Sequence, residues 1–171
     1  RELWTVRHTS FNAGIRPLWL PKEGLVLFNS GSRGQLIAVK VDPSTQGDVT
    51  ETHVAWIVDN GNPRFAKPIY HDGLVYQIND LGVASCIDAT GGKEIWKGRA
   101  SGNYRSSPLL AGEQLYFFSE EGVGTILKVG RSFEKVASNE VSSLGTTACP
   151  AVSNGAIFVR GKTYLFKIKQ P

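Results

Sequence analysis

Trp56 and Trp96 stand 40 residues apart, and Pro68 and Pro108 keep the same interval. Pro150 follows Pro108 after 42 residues, and Val136 follows Trp96 after 40, where a third tryptophan would be expected. Pro17 to Pro68 is longer, at 51 residues, and most of the excess falls in "DPSTQGDVTETHVAW", Asp42 to Trp56. A period near 40 residues restricts the chain to architectures that line up similar small units, each burying an apolar face against the next.

After each of these prolines come a turn and a β-rich run: "GLVLFNS" from Gly24, "GLVYQIN" from Gly73, "EQLYFFS" from Glu113 and "GAIFVRG" from Gly155. A second run then follows in each unit: "GQLIAVKV", "GVASCID", "GTILKV" and "KTYLFKI". These segments are short, rich in Val, Ile, Leu, Tyr and Phe, and bounded by Gly, Asp, Asn and Ser, as strands are. In the first three units a further hairpin leads to the strand bearing Trp56, Trp96 or Val136. In "DATGGKEIW", Asp88 to Trp96, a glycine closing the loop supplies the positive φ that a bulged hairpin needs. No long segment has helical periodicity.

Four short antiparallel strands in every ~40 residues are the mark of a propeller blade. The chain is therefore expected to be an all-β propeller segment of about four blades, each a four-stranded antiparallel sheet. Residues 1–10 form the outer strand of a preceding blade, 11–59 a blade with a long hairpin insertion, 60–100 and 101–142 two further blades, and 143–171 three strands of a last one. The indoles of Trp4, Trp56 and Trp96 are expected to wedge adjacent blades together. At Val136 a smaller side chain should leave a weaker or differently packed junction. The first strand could complete the last blade and close a ring, or the segment could be an arc of a larger ring. Few propellers have as few as four blades, and the chain has no methionine, so an arc is expected. Its two open faces should then meet a protein partner, the remaining blades of a parent chain or a second copy.

Composition excludes several classes. With 41% hydrophobic and 20% charged residues the chain is not disordered. No apolar run approaches the ~18 residues of a membrane helix, and "RELWTVRHTS" has no signal-peptide core. The net charge is +4 and the basic residues are scattered, so nucleic acid is not an expected partner. Cys86 and Cys149 both sit among apolar neighbours and read as two buried thiols.

The segments just before the prolines carry Arg16, Arg64, Lys67, Tyr104 and Arg105. Facing a central channel, these side chains would meet an anionic ligand or carboxylate, for which arginine offers a planar fork. His8, His53 and His71 have no ligand spacing, and "DNGNP", Asp59 to Pro63, lacks the alternating carboxylates of a calcium loop. Ser106–Ser107 and Ser142–Ser143 have no histidine assigned to them, so neither a metal site nor a hydrolytic triad is expected. Trp19, close after Pro17, is expected in the core.

The run Asp88-Ala-Thr-Gly-Gly-Lys-Glu-Ile-Trp96, followed by Ser107-Pro108 and recurring in register, resembles the pyrroloquinoline quinone (PQQ) repeat of quinoprotein-like propellers. "GDVTETHVAW", "GNYRSSPLLAGEQLYFFSEEGVGTILKVG" and "GAIFVRGKTYLFKIK" resemble a bacterial branch of unassigned activity, in which the last run lies at the C-terminus. The resemblance implies a periplasmic or secreted location and two functional classes. The enzymes oxidise alcohols or sugars with PQQ over a tryptophan, a calcium held by acidic and amide groups, and in some members a disulfide between adjacent cysteines. No adjacent cysteine pair and no acidic residue just before the prolines occurs here, so no cofactor is expected in this segment; PQQ and calcium belong to the dehydrogenase alternative. The other class is a non-catalytic binding or scaffold module, and it is the expectation. A glycan-binding propeller, with Tyr104 and Arg105 at its site, is a further alternative.

Overall fold

The computed structural model describes residues 1–11, 14–31, 34–140 and 144–169; the Ser142–Ser143 pair lies outside them. Among the described residues there is no helix, and the strands form consecutive antiparallel meanders. The first blade comprises β2 (Leu18–Leu20), β3 (Leu25–Asn29), β4 (Leu36–Lys40) and β6 (Val54–Val58); β5 (Gly47–Asp48) is a short strand inside its expanded hairpin. The second comprises β7 (Ile69–His71), β8 (Leu74–Ile78), β9 (Val83–Asp88) and β10 (Glu94–Arg99). The third comprises β11 (Leu109–Ala111), β12 (Gln114–Phe118), β13 (Val123–Lys128) and β14 (Lys135–Glu140). The last has three strands: β15 (Ala151–Ser153), β16 (Ala156–Arg160) and β17 (Leu165–Lys169).

Ahead of them all, β1 (Trp4–Thr5) pairs in parallel with β5, setting Trp4 opposite Gly47, and it does not pair with β17. The segment is an open arc. Burial follows from that shape. In the second blade, flanked on both sides, every residue of β8 is buried; in the last blade β17 is mostly exposed. A strand sandwiched between two neighbours has no solvent face to alternate with.

Apolar layers lie between sheets rather than in one central core. Leu27, Ala38 and Trp56 of the first blade pack on Val75, Ile87 and Ala89 of the second. Tyr76, Cys86 and Trp96 of the second pack on Leu115, Phe117 and Leu127 of the third. The layer between third and last blades is smaller, with Phe118, Leu144 and Val159 as its buried members.

Three expectations need correction. First, the tryptophan position of the third blade holds Ala137, not Val136. The ladders set Trp56 opposite Ala38, Trp96 opposite Cys86 and Ala137 opposite Ile126. Asp88 N–H closes its hairpin on Lys93 O, but Lys128 N–H closes on Glu134 O. That loop is one residue longer, so counting 40 residues from Trp96 lands on the bulged, outward-facing Val136, which is 47% exposed. A cavity of about 210 Å³ lined by Tyr116, Phe118, Ile126, Leu144, Ile157 and Ile168 remains beside this junction. Second, Trp19 is 50% exposed rather than core. It pairs opposite Val26, on the face of the first blade turned away from the second. Third, only Cys86 is buried; Cys149 is exposed, and both thiols are free.

Candidate functional site: the basic rim and axis

The strands β2, β7, β11 and β15 lead their sheets and stand innermost, so the residues entering them gather around the axis. The equivalent positions, each just before a proline, are Arg16, Lys67, Ser107 and Cys149. The structure brings these together. The backbone N–H of Lys67 donates to Ser107 Oγ at 2.9 Å, and Lys67 feels the charges of Arg16 and Cys149. Burial of its stem, and next the Arg16 guanidinium, push the Lys67 ammonium below its ordinary range, with Cys149 acting in the opposite direction. Among the described residues neither the Lys67 ammonium nor Arg16 has an ion pair.

Arg64 and Arg105 lie further out, on the rim formed by the blade-to-blade connections and the turns between second and third strands. Arg64 binds Asp80 through both its backbone N–H and its guanidinium. Arg105 Nε donates to Glu120 Oε1 at 2.8 Å. Phe65, 47% exposed, stands between them, with the two guanidinium carbons 5.3 Å and 5.0 Å from its ring centroid. The result is an exposed aromatic platform flanked by cations whose own charges are balanced by carboxylates. Next to it, Glu120, Thr146, Thr147, Arg160 and Lys162 line a shallow polar depression between the last two blades.

Tyr104 is not part of this surface. It is 0% exposed, and its hydroxyl donates to Ser101 O at 2.8 Å. Its ring contributes to the layer between second and third blades. Phe65 was missed by sequence reasoning, although Asp80 and Glu120 are 40 residues apart and each follows the connection carrying its arginine. That shared period is the signal that marks the paired rim arginines.

Around the structural indoles the geometry is well defined. Trp56 Nε1–H donates to Ala89 O, and Trp96 Nε1–H to Gly130 O, both at 3.0 Å and both across a blade junction. Phe133 meets the Trp96 ring edge-on at 5.4 Å, and Tyr76 Oη accepts the Gly130 N–H at 2.8 Å. Trp4 is half-buried and packs with Val6 against Ile37, Val39 and Val49 of the first blade.

A calcium ion of the kind quinoprotein enzymes hold does not fit these residues. Among the described residues no three of His, Cys, Asp and Glu gather closely enough to bind a metal. The axial positions instead carry Lys67 and Arg16, whose charges oppose a divalent cation.

Comparison with known proteins agrees with the blade geometry. BamB from Moraxella catarrhalis superposes with a TM-score of 0.64 at 16% identity, over 85% of this chain and 43% of that one. The quinohemoprotein alcohol dehydrogenase ADHIIG from Pseudomonas putida HK5 superposes with a TM-score of 0.62 at 13% identity, over 81% of this chain and 22% of that one. The computationally designed Ika4 protein gives 0.71 at 9% identity, over 99% of this chain and 98% of that one. At such identities the likeness shows the fold alone, and the chain spans less than half the length of the two natural proteins. No protein of curated function matches. A family model described as outer membrane protein assembly factor BamB matches residues 39–131. With its blades, hairpins and recurring tryptophans matched across more than half its length, the chain belongs to the PQQ-repeat β-propeller family of BamB.

Proposed function

We propose that the chain is a non-catalytic binding or scaffold segment of an extracytoplasmic propeller, which takes a carboxylate-bearing stretch of a partner protein at its axis and rim. The observation that carries this reading is the contrast in charge pairing. Arg64 and Arg105 on the rim have their own carboxylates, whereas Lys67 and Arg16 at the axis have none among the described residues. An incoming carboxylate would relieve their mutual repulsion and favour the charged form of Lys67. The exposed Phe65 platform, between the rim arginines Arg64 and Arg105, offers an aromatic anchor of the kind that dominates protein interfaces. Membership of a family described as an outer membrane protein assembly factor supports both a partner-binding role and a location outside the cytoplasm.

The test is titration with an acidic peptide against the unmodified chain and an Arg16→Glu/Lys67→Glu double variant. The unmodified chain should bind with an affinity that falls as salt rises, and the variant should lose at least tenfold; equal affinities would overturn the reading. The dehydrogenase alternative is checked by adding PQQ and calcium and measuring dye-linked alcohol oxidation. Turnover would replace the scaffold reading.

A further inference from the structure

We infer that the junction between the first and second blades binds a structural water molecule, held between Asn29, Gln77 and Ser85. At the same level the later junctions are apolar. Ile78 meets Phe117 between the second and third blades, and Phe118 meets Val159 between the third and last. The ladders place Asn29 at the position of Ile78 and Gln77 at that of Phe117. Each is only 2% exposed. Leu25 and Leu27 of β3 pack toward the second blade, and Val75 of β8 packs toward the first. Alternate residues of a strand share a face, so Asn29 and Gln77 confront each other across this junction. Ser85 lies opposite Gln77 in the ladder and is 4% exposed, which puts its hydroxyl on the same face.

The hydrogen bonds already made dictate which way each amide points. Asn62 Nδ2 donates to Val58 O at 2.7 Å and to Gly34 O at 3.2 Å, so Asn62 turns its oxygen to Gln77. Gln77 meets that oxygen with Nε2, at 3.0 Å. Asn29 Oδ1 accepts the Gly31 N–H at 2.8 Å. What remains is an acceptor, Gln77 Oε1, and a donor, Asn29 Nδ2, both enclosed and neither bonded to any described residue. Turning either amide over would break a bond it already makes. A buried polar atom left alone is costly, and a water molecule satisfies both at once, accepting from Asn29 and donating to Gln77. The Ser85 hydroxyl supplies a third partner. Room for it comes from two differences between the junctions. Gln77 replaces the bulkier Phe117 ring. Arg64, four residues before Pro68 as Tyr104 is before Pro108, turns outward to Asp80, whereas the Tyr104 ring fills its junction and reaches Thr125 with its hydroxyl. Asn62 stands two positions before Arg64, so the bonds from this water through Gln77 to Asn62 anchor the connection that carries the Arg64–Phe65 platform.

A high-resolution crystal structure, with NMR of the same chain in solution, tests the inference. The electron density should show an ordered water within hydrogen-bond distance of Asn29 Nδ2 and Gln77 Oε1. The side-chain amide protons of Asn29 and Gln77 should give nuclear Overhauser cross peaks to a water that stays bound longer than the molecule takes to tumble. Asn29→Leu removes the donor, so the water and its cross peak to the Gln77 amide should both be lost, while Gln77 keeps its bond to Asn62. A direct hydrogen bond between Asn29 and Gln77, an empty site, or another side chain in the place of the water would overturn the inference. So would a water that persists unchanged in the Asn29→Leu chain. If that variant fails to fold, the density and cross peaks of the parent chain decide alone.

Discussion

The indole Nε1–H of Trp56 donates to the carbonyl of Ala89, 33 positions along the chain and one blade away. Trp96 repeats the contact with Gly130, so each indole ties an outer strand to the hairpin of the following sheet. Both indoles are 8% exposed, which makes them the main apolar wedges as well as donors. Replacing either by alanine removes a large buried ring, and a loss of about 3–5 kcal/mol is expected from urea unfolding. Trp96→Phe keeps most of the packing but removes the better of the two donors to the Gly130 carbonyl, leaving the Tyr76 hydroxyl at 3.4 Å, so a loss of about 0.5–1.5 kcal/mol is expected. Equal stability for the alanine and parent chains would show that the indoles are not the wedges.

Gly92 sits beneath Trp56 with φ +70°, and a Cβ there would stand 2.7 Å from the indole. Gly92→Ala therefore combines a left-handed backbone with a collision against a ring that cannot easily yield. It should lower the thermal midpoint clearly more than Gly91→Ala, whose Cβ would meet nothing within 4 Å.

Burial pushes the Cys86 thiol up to about 12, whereas Cys149 is exposed at the axis. The thiolate is the reactive form, so a folded chain should take up one equivalent of an alkylating reagent near pH 8, at Cys149, and two after denaturation. Mass spectrometry of the labelled peptides reads this directly, and rapid native labelling of Cys86 would contradict the packing of the second blade.

Desolvation works to raise Asp88, but the Thr90 backbone N–H and the Arg131 side chain outweigh it and hold its carboxyl below the ordinary range. A carboxylate depressed in the folded state adds stability that is present above its unfolded value and disappears as pH falls through the folded one. Asp88→Asn should thus lower stability at pH 7 and flatten its decline on acidification through the carboxylate range. An unchanged pH profile would remove Asp88 from that account.

Lys67 gives the opposite sign. Its depressed ammonium costs stability while it is protonated in the fold, and the cost fades as pH rises from the folded value toward the unfolded one. Lys67→Gln should therefore be more stable than the parent chain at pH 7 while binding acidic peptides less well. Reduced stability together with intact binding would place the ammonium in a structural role.

The 40-residue period, the alternation of short apolar runs and turns, and the punctuation at Pro17, Pro68, Pro108 and Pro150 were enough to specify blades and their order. Those features are local: a strand's length and a hairpin's glycine depend on neighbouring residues alone. Contacts between blades depend on register, and one extra residue in the Lys128–Glu134 loop was enough to put Ala137 rather than Val136 at the wedge. The same dependence separates Tyr104 from Arg105. They are neighbours in sequence, yet one ring is swallowed by the layer between two sheets while the next side chain reaches the rim. The meeting of Lys67 with Ser107 and Arg16 likewise arises only when sheets that are distant in sequence are set side by side. Sequence by itself determined what each blade is. Tertiary structure decided which faces, charges and edges the blades leave unmatched, because burial and charge pairing are properties of neighbours that the chain order does not list.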